Sequence, residues 1–180
     1  STGGPSAVEF VLSKFPSDTA LSFLVVQHMP QGFTKRFAER LNERCDIEVV
    51  EAYNDMEISE GVAIVAPGDY HMEVVDKKKP KVKLNKNEKI HGVRPSIDVT
   101  MLSAAKIFGK KLIGVLLTGM GSDGVLGISK IKEMGGFTIA QDEATSQIFG
   151  MPKKAIESGN VDKILPIYAI PYEIMKRSME

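Results

Sequence analysis

Short, nearly continuous apolar runs alternate along this chain with longer stretches in which apolar residues recur every three or four positions. The runs are Leu21–Val26, Val62–Ala66, Leu112–Leu117 and Phe137–Ala140. Apolar runs this short, without alternation, predict strands covered on both faces. Between them lie helical patterns. Pro5 to about Lys14 opens with Pro at a first helical position and sets Val8, Val11 and Leu12 on one side. Phe33, Phe37 and Leu41 recur at a spacing of four. Ser96 stands where it can cap a helix whose apolar side holds Ile97, Met101, Ala104, Ala105 and Phe108. Val125, Ile128, Ile131 and Met134 form a further face that Gly135 ends. Pro152 opens a helix running to Gly159, and Tyr172, Met175 and Met179 mark a last one. Strands alternating with helices predict an α/β fold, a doubly wound, mainly parallel sheet with helices on both faces. One segment departs from this pattern. His71–Val75 and Lys81–Leu84 flank Lys77-Lys-Lys-Pro80 and read as a small β-hairpin.

Composition narrows the picture. The 180 residues contain 23 Lys and Arg and 23 Asp and Glu, so the net charge is zero and no general affinity for nucleic acid is expected. The hairpin lysines carry no interleaved aromatic residues for base stacking and read as a solvated edge that resists pairing. A single cysteine, Cys45, excludes an internal disulfide and a cysteine-built zinc site; it reads as a small buried hydrophobe. No apolar stretch approaches the roughly 20 residues of a membrane span, and the N-terminus has no signal-peptide pattern. We therefore expect residues 1–180 to form one soluble, cytoplasmic domain without membrane insertion, metal or cofactor. Ser1, inside a glycine-rich stretch with no strand before it, reads either as the point where a longer chain was trimmed or as a processed terminus.

In a parallel α/β sheet, sites form at the carboxyl ends of the strands. The Leu21–Val26 run leads into Gln27-His28-Met29-Pro30, and the Leu112–Leu117 run into Thr118-Gly-Met-Gly-Ser-Asp-Gly124. Ser1-Thr-Gly-Gly4 precedes a helix where a strand end would sit. Ser1, His28 and Asp123 are thus expected at one rim. A serine hydroxyl is a weak nucleophile until an imidazole takes its proton, and the imidazole needs a carboxylate to hold its tautomer. Amides near Met120 are candidates for oxyanion donors.

The same loop admits a rival reading. Gly119-Met-Gly121-Ser-Asp-Gly124 fits the dinucleotide pattern G-x-G-x-x-G, with Asp142 and Glu143 about 20 residues on, where a ribose-binding acid belongs. Against it, Asp123 would set a carboxylate beside an anionic pyrophosphate. His71 and His91 have no metal-type partner at helical or hairpin spacing.

Several longer motifs resemble the catalytic domain of bacterial chemotaxis receptor methylesterases, the CheB family. They are Ser1-Thr-Gly-Gly-Pro, Gln27-His-Met-Pro-Gln-Gly-Phe-Thr34, Phe37-Ala-Glu-Arg-Leu-Asn42 and Ala66-Pro-Gly-Asp-Tyr-His-Met72. Further along come Arg94-Pro-Ser-Ile-Asp98, Leu117-Thr-Gly-Met-Gly-Ser-Asp-Gly124, Ala140-Gln-Asp-Glu-Ala144 and Phe149-Gly-Met-Pro152. The resemblance implies hydrolysis of glutamate γ-methyl esters on the cytoplasmic helical bundles of chemoreceptors, with release of methanol, and deamidation of particular glutamines. By motif, Ser1 corresponds to the nucleophile, His28 to the general base and Asp123 to the carboxylate that orients it. Thr2 and the Met120 amide correspond to groups that hold substrate and oxyanion. The resemblance also implies a phosphorylated receiver domain as regulator of the full-length protein. Val93 departs from the family pattern, standing where many relatives have a histidine before Arg94-Pro95.

Overall fold

A computed structural model describes residues 3–180. The elements run α1 (Gly4–Leu12), β1 (Phe23–Val25), α2 (Phe33–Arg44), β2 (Glu48–Glu51) and β3 (Val62–Val65). Then come β4 (His71–Val75), β5 (Lys81–Asn85), α3 (Ile97–Phe108), β6 (Ile113–Leu116) and α4 (Val125–Glu133). The chain closes with β7 (Phe137–Gln141), α5 (Met151–Glu157), β8 (Lys163–Leu165) and α6 (Ile170–Ser178).

Each apolar run forms a strand, and all pairings among them are parallel. One block has the order β1-β3-β2 and the other β6-β7-β8. The strands β2 and β8 were not foreseen in the hydrophobic pattern. Glu48-Val-Val-Glu51 is bracketed by acids and Lys163-Ile-Leu165 is three residues long, so their strand character comes from pairing with β3 and β7. The antiparallel hairpin β4-β5 stands apart, as expected. Two of its lysines pair locally, Lys79 with Glu57 at 3.1 Å and Lys83 with Asp55 at 2.7 Å.

Within the described residues, β1 and β6 pair on one side only, with β3 and β7. Both border an apolar cavity of about 460 Å³ that also touches Gly4 and Val8 of α1, Met101 of α3 and His28. The main core holds Phe15, Leu41, Ile47, Val65, Ile139 and Ile170, none more than 2% exposed. Cys45 lies just past α2 and is buried, as its place in the sequence suggests.

Two helix faces differ from the sequence pattern. Phe37 and Leu41 are buried in α2, but Phe33, its first residue, is 57% exposed. In α6 the inward residues are Ile170, Pro171 and Ile174, while Tyr172 and Met179 face solvent. The helix begins two residues earlier than the Tyr172-Met175-Met179 series implies, and its Ile-Pro start supplies the buried side.

Candidate active site

His28 lies three residues beyond β1, and Asp123 is two residues before α4 in the loop that leaves β6. The structure brings them together from 95 residues apart: His28 Nε2 is 2.6 Å from Asp123 Oδ2. With Nε2–H donating to a carboxylate, Nδ1 becomes the nitrogen that can accept a proton. The His28 side chain is 15% exposed and that of Asp123 3%, so the imidazole sits at a rim and its carboxylate beneath it.

The backbone holds both loops closely. After β1, the chain at Pro30-Gln31 packs against Gly68, where a Cβ would lie 2.5 Å from Pro30 carbonyl and Gln31 nitrogen atoms. The amide of Gly68 donates to Thr34 Oγ1 at 2.8 Å, and that hydroxyl donates to Glu51 Oε2 at 2.6 Å. After β6, Gly119 N–H donates to the Ile148 carbonyl at 3.0 Å and the amide of Met151 to the Gly119 carbonyl at 2.8 Å. Gln141 is buried behind this loop. It accepts from the Thr118 amide at 2.8 Å and donates to the Thr145 carbonyl at 2.8 Å. Gly3, at the start of the described residues, lies against Gln147 and Thr118. Met120 is in the same loop, with its side chain projecting into solvent. Ser1 and Thr2 lie outside the described residues.

Asp123 is unusually well bound. Its Oδ2 also accepts from the amide of Ile97 at 2.7 Å, and Oδ1 accepts from the Asp98 amide at 3.0 Å and the Ser96 hydroxyl at 2.8 Å. Burial pushes this carboxyl up. The donations from His28, from the Asp98 and Ile97 amides and from Ser96 outweigh that cost and hold it below the ordinary aspartate range. These contacts also revise the sequence view of Ser96. It occupies the N-cap position of α3 but makes no cap to its own helix, because its hydroxyl is turned to Asp123 and the Asp123 carboxylate does the capping.

A family model described as CheB methylesterase matches residues 1–174. The chain belongs to the CheB methylesterase family. Relatives named protein-glutamate methylesterase/protein-glutamine glutaminase include that of Pyrococcus horikoshii, 54% identical over 177 residues. The match covers 98% of this chain and 48% of that protein. The Clostridium acetobutylicum relative of the same name is 49% identical, covering 98% of this chain and 50% of its own length. This CheB-family chain thus spans about half the length of the curated relatives it matches. Its fold is similar to the crystal structure of the Thermotoga maritima CheB methylesterase catalytic domain, with a TM-score of 0.94 and 42% identity. That likeness covers 97% of this chain and 93% of the other.

The dinucleotide reading fails on physical grounds as well as by family. The N-terminus of α4, where a pyrophosphate would sit, is already occupied by a carboxylate: Asp98 Oδ1 accepts from Gly124 N–H at 3.0 Å and Gly127 N–H at 2.8 Å. Asp142, the candidate ribose acid, is spent on its own turn, accepting from the Thr145 hydroxyl at 2.6 Å and amide at 3.0 Å.

Two residues of this CheB-family site went unassigned in the sequence, Asp98 and His91. His91 Nε2 lies 3.2 Å from Asp98 Oδ2, and donor atoms of His91, Asp98 and Asp123 all fall within 4.8 Å of one another. That is a possible metal grouping by distance alone. Each carboxylate oxygen in it already accepts from an amide, hydroxyl or imidazole, so a cation would have to displace those donors. An aspartate in the first turn of a helix is explained by the helix dipole, which hid the role of Asp98. Its amide donors, Gly124 and Gly127, lie at the start of another helix, which no local spacing encodes.

Proposed function

We propose that this chain is the hydrolytic domain of a chemoreceptor-modifying enzyme. It cleaves glutamate γ-methyl esters on the cytoplasmic helical bundles of chemotaxis receptors, releasing methanol, and hydrolyses particular glutamine side-chain amides. The observation that carries this reading is the His28–Asp123 hydrogen bond of 2.6 Å at the carboxyl rim of two parallel strand blocks, together with the printed names of the relatives.

The reaction has two steps. Ser1 Oγ attacks the ester carbonyl while His28 Nδ1 takes the hydroxyl proton, and Asp123 stabilises the imidazolium that forms. The tetrahedral oxyanion is held by backbone amides, that of Met120 among them, with Thr2 beside the nucleophile. Collapse expels methanol, which receives the proton from His28. Water then attacks the acyl-serine ester, activated by the same imidazole, and the free glutamate leaves. An amide substrate follows the same course with ammonia as leaving group. The carboxylate product and the ester differ by one negative charge, so the reaction changes the charge of the receptor surface at each site.

In the full-length protein we assign these 180 residues to one catalytic domain, regulated by a phosphorylatable receiver domain and working in the cytoplasm. No helix among the described residues is long and apolar enough to cross a membrane. The direct test is methanol release from methylated receptor fragments by the full-length protein and its Ser1→Ala variant. Release by the parent and its loss in a folded Ser1→Ala variant are expected. Equal release by both would overturn the assignment of the nucleophile, and none from the parent the assignment of substrate.

A further inference from the structure

The two helices that meet beneath the site are capped by each other's aspartates. Asp123, just ahead of α4, accepts from Ile97 and Asp98 amides at the start of α3. Asp98, in the first turn of α3, accepts from the Gly124 and Gly127 amides at the start of α4. Both carboxylates are buried, Asp98 at 1% and Asp123 at 2% exposure. Two buried negative charges this close repel, and an asparagine or serine would cap a helix without that cost. The charge of Asp98 is therefore more than capping requires.

We propose that Asp98 is a positioning residue for the catalytic dyad, fixing the Asp123 loop through the Gly124 and Gly127 amides and adding a second negative charge behind His28. The inference rests on the esterase reading above. Its first part is geometric. Asp123 has no freedom to turn away from His28 while α3 and α4 stay clasped, because the residue that accepts from the α4 amides also donates its own amide to Asp123 Oδ1. The second part is electrostatic. An imidazolium appears on His28 in each half-reaction, and a second buried anion near Asp123 favours it more than one anion alone.

The groups facing Asp98 are few. From the turn before α3 comes His91, 40% exposed at its side chain; from the loop before α4 comes Asp123; from α4 itself come only backbone amides. Burial raises the Asp98 carboxyl above the ordinary range, with the Asp123 charge adding to the rise and the Gly127, Gly124 and His91 contacts opposing it. Its Gly124 and Gly127 partners are backbone amides that can only donate, which suits an ionised carboxylate.

Two substitutions in the full-length protein separate the parts. Asp98→Asn keeps an acceptor oxygen for the α4 amides and removes the charge; Asp98→Ala removes both. For Asp98→Asn, kcat on methylated receptor is expected to fall about tenfold, the effect of slightly more than one kcal/mol on the barrier. KM should be unchanged, and the acid limb of the pH–rate profile should move to lower pH, since less negative charge favours the imidazolium less. Asp98→Ala should lose more kcat and also melt earlier. The low-field proton resonance of the 2.6 Å His28–Asp123 hydrogen bond, read without substrate, should persist in Asp98→Asn and broaden or vanish in Asp98→Ala. An Asp98→Asn protein with wild-type kcat and an unmoved acid limb overturns the electrostatic part. A sharp, unshifted resonance in Asp98→Ala overturns the positioning part. Because the resonance needs no substrate, an inactive parent protein would count against the esterase reading and leave this inference standing on its own readout.

Discussion

At the scale of the residue, Asp123 does two jobs that pull a substitution in two directions. Asp123→Asn presents one acceptor oxygen to four donors, so it should cost stability of about 1–3 kcal/mol through unsatisfied buried groups. Under the proposed mechanism turnover should fall further, by roughly 10²- to 10⁴-fold, because the imidazole loses the partner that fixes its tautomer. Paired thermal melts and methanol-release assays separate the two effects. Cys45 makes the opposite case, a reactive group rendered idle. Burial pushes its thiol up first, and the nearby Glu9 and Asp46 charges push it further. Thiol labelling of the native protein at neutral pH should therefore be negligible and become complete in denaturant. Rapid labelling of the native state would contradict the packing described for the end of α2.

At the scale of the element, the hydrophobic pattern found what it could encode. The runs that became β1, β3, β6 and β7 are apolar enough to need burial on both faces, so no partner was required to recognise them. The edge strands β2 and β8 carry no such signal, because their hydrogen bonds are supplied by neighbours distant in the chain. The site divides in the same way. His28 and Asp123 were legible because each follows an apolar strand into a loop. Asp98 was not, since its function depends on α3 and α4 lying side by side. The loops themselves are held by backbone contact, which gives a specific expectation for Gly68. An added Cβ would meet main-chain atoms of Pro30 and Gln31 at 2.5 Å, with no flexible side chain to give way. Gly68→Ala should thus cost about 1–3 kcal/mol of stability, the usual range for overpacking. It should also lower kcat by moving the segment that carries His28, whereas an alanine at Gly159, exposed beyond α5 with no atom within 4 Å of an added Cβ, should strain only its own turn and leave kcat unchanged. Circular dichroism melts with steady-state kinetics check both.

Over the whole molecule, buried and half-buried carboxylates tie stability to pH with opposite signs. Asp123 and Asp162 lie below the ordinary aspartate range when folded. For Asp162, burial works against this, and Lys132 with the Thr138 amide and hydroxyl outweighs it. Their contribution is present above the unfolded-state value and lost as pH falls through that value towards the folded one. Asp98 lies above the range, so its contribution is complete at low pH and lost as pH rises through the folded value. Melting curves between about pH 3 and pH 7 should show it directly, a span that brackets the ordinary aspartate value. Relative to wild type, Asp162→Asn should become less stable as pH rises, and Asp98→Asn more stable. Parallel curves for the two variants would refute these environments. A carboxylate that costs stability at working pH is one kept for another reason, which agrees with the placement of Asp98 behind the site.

The meeting of His28 and Asp123 has a mechanical consequence. His28 is carried by the loop after β1 and Asp123 by the loop after β6, so each answers to a different strand. Each loop is pinned by its own contacts, the first against Gly68 and the second by the α3 amides. A partner that leans on either loop alters first the 2.6 Å distance on which the proposed proton transfer depends. The mutual placement of two loops and the readiness of the imidazole are read on the same ruler.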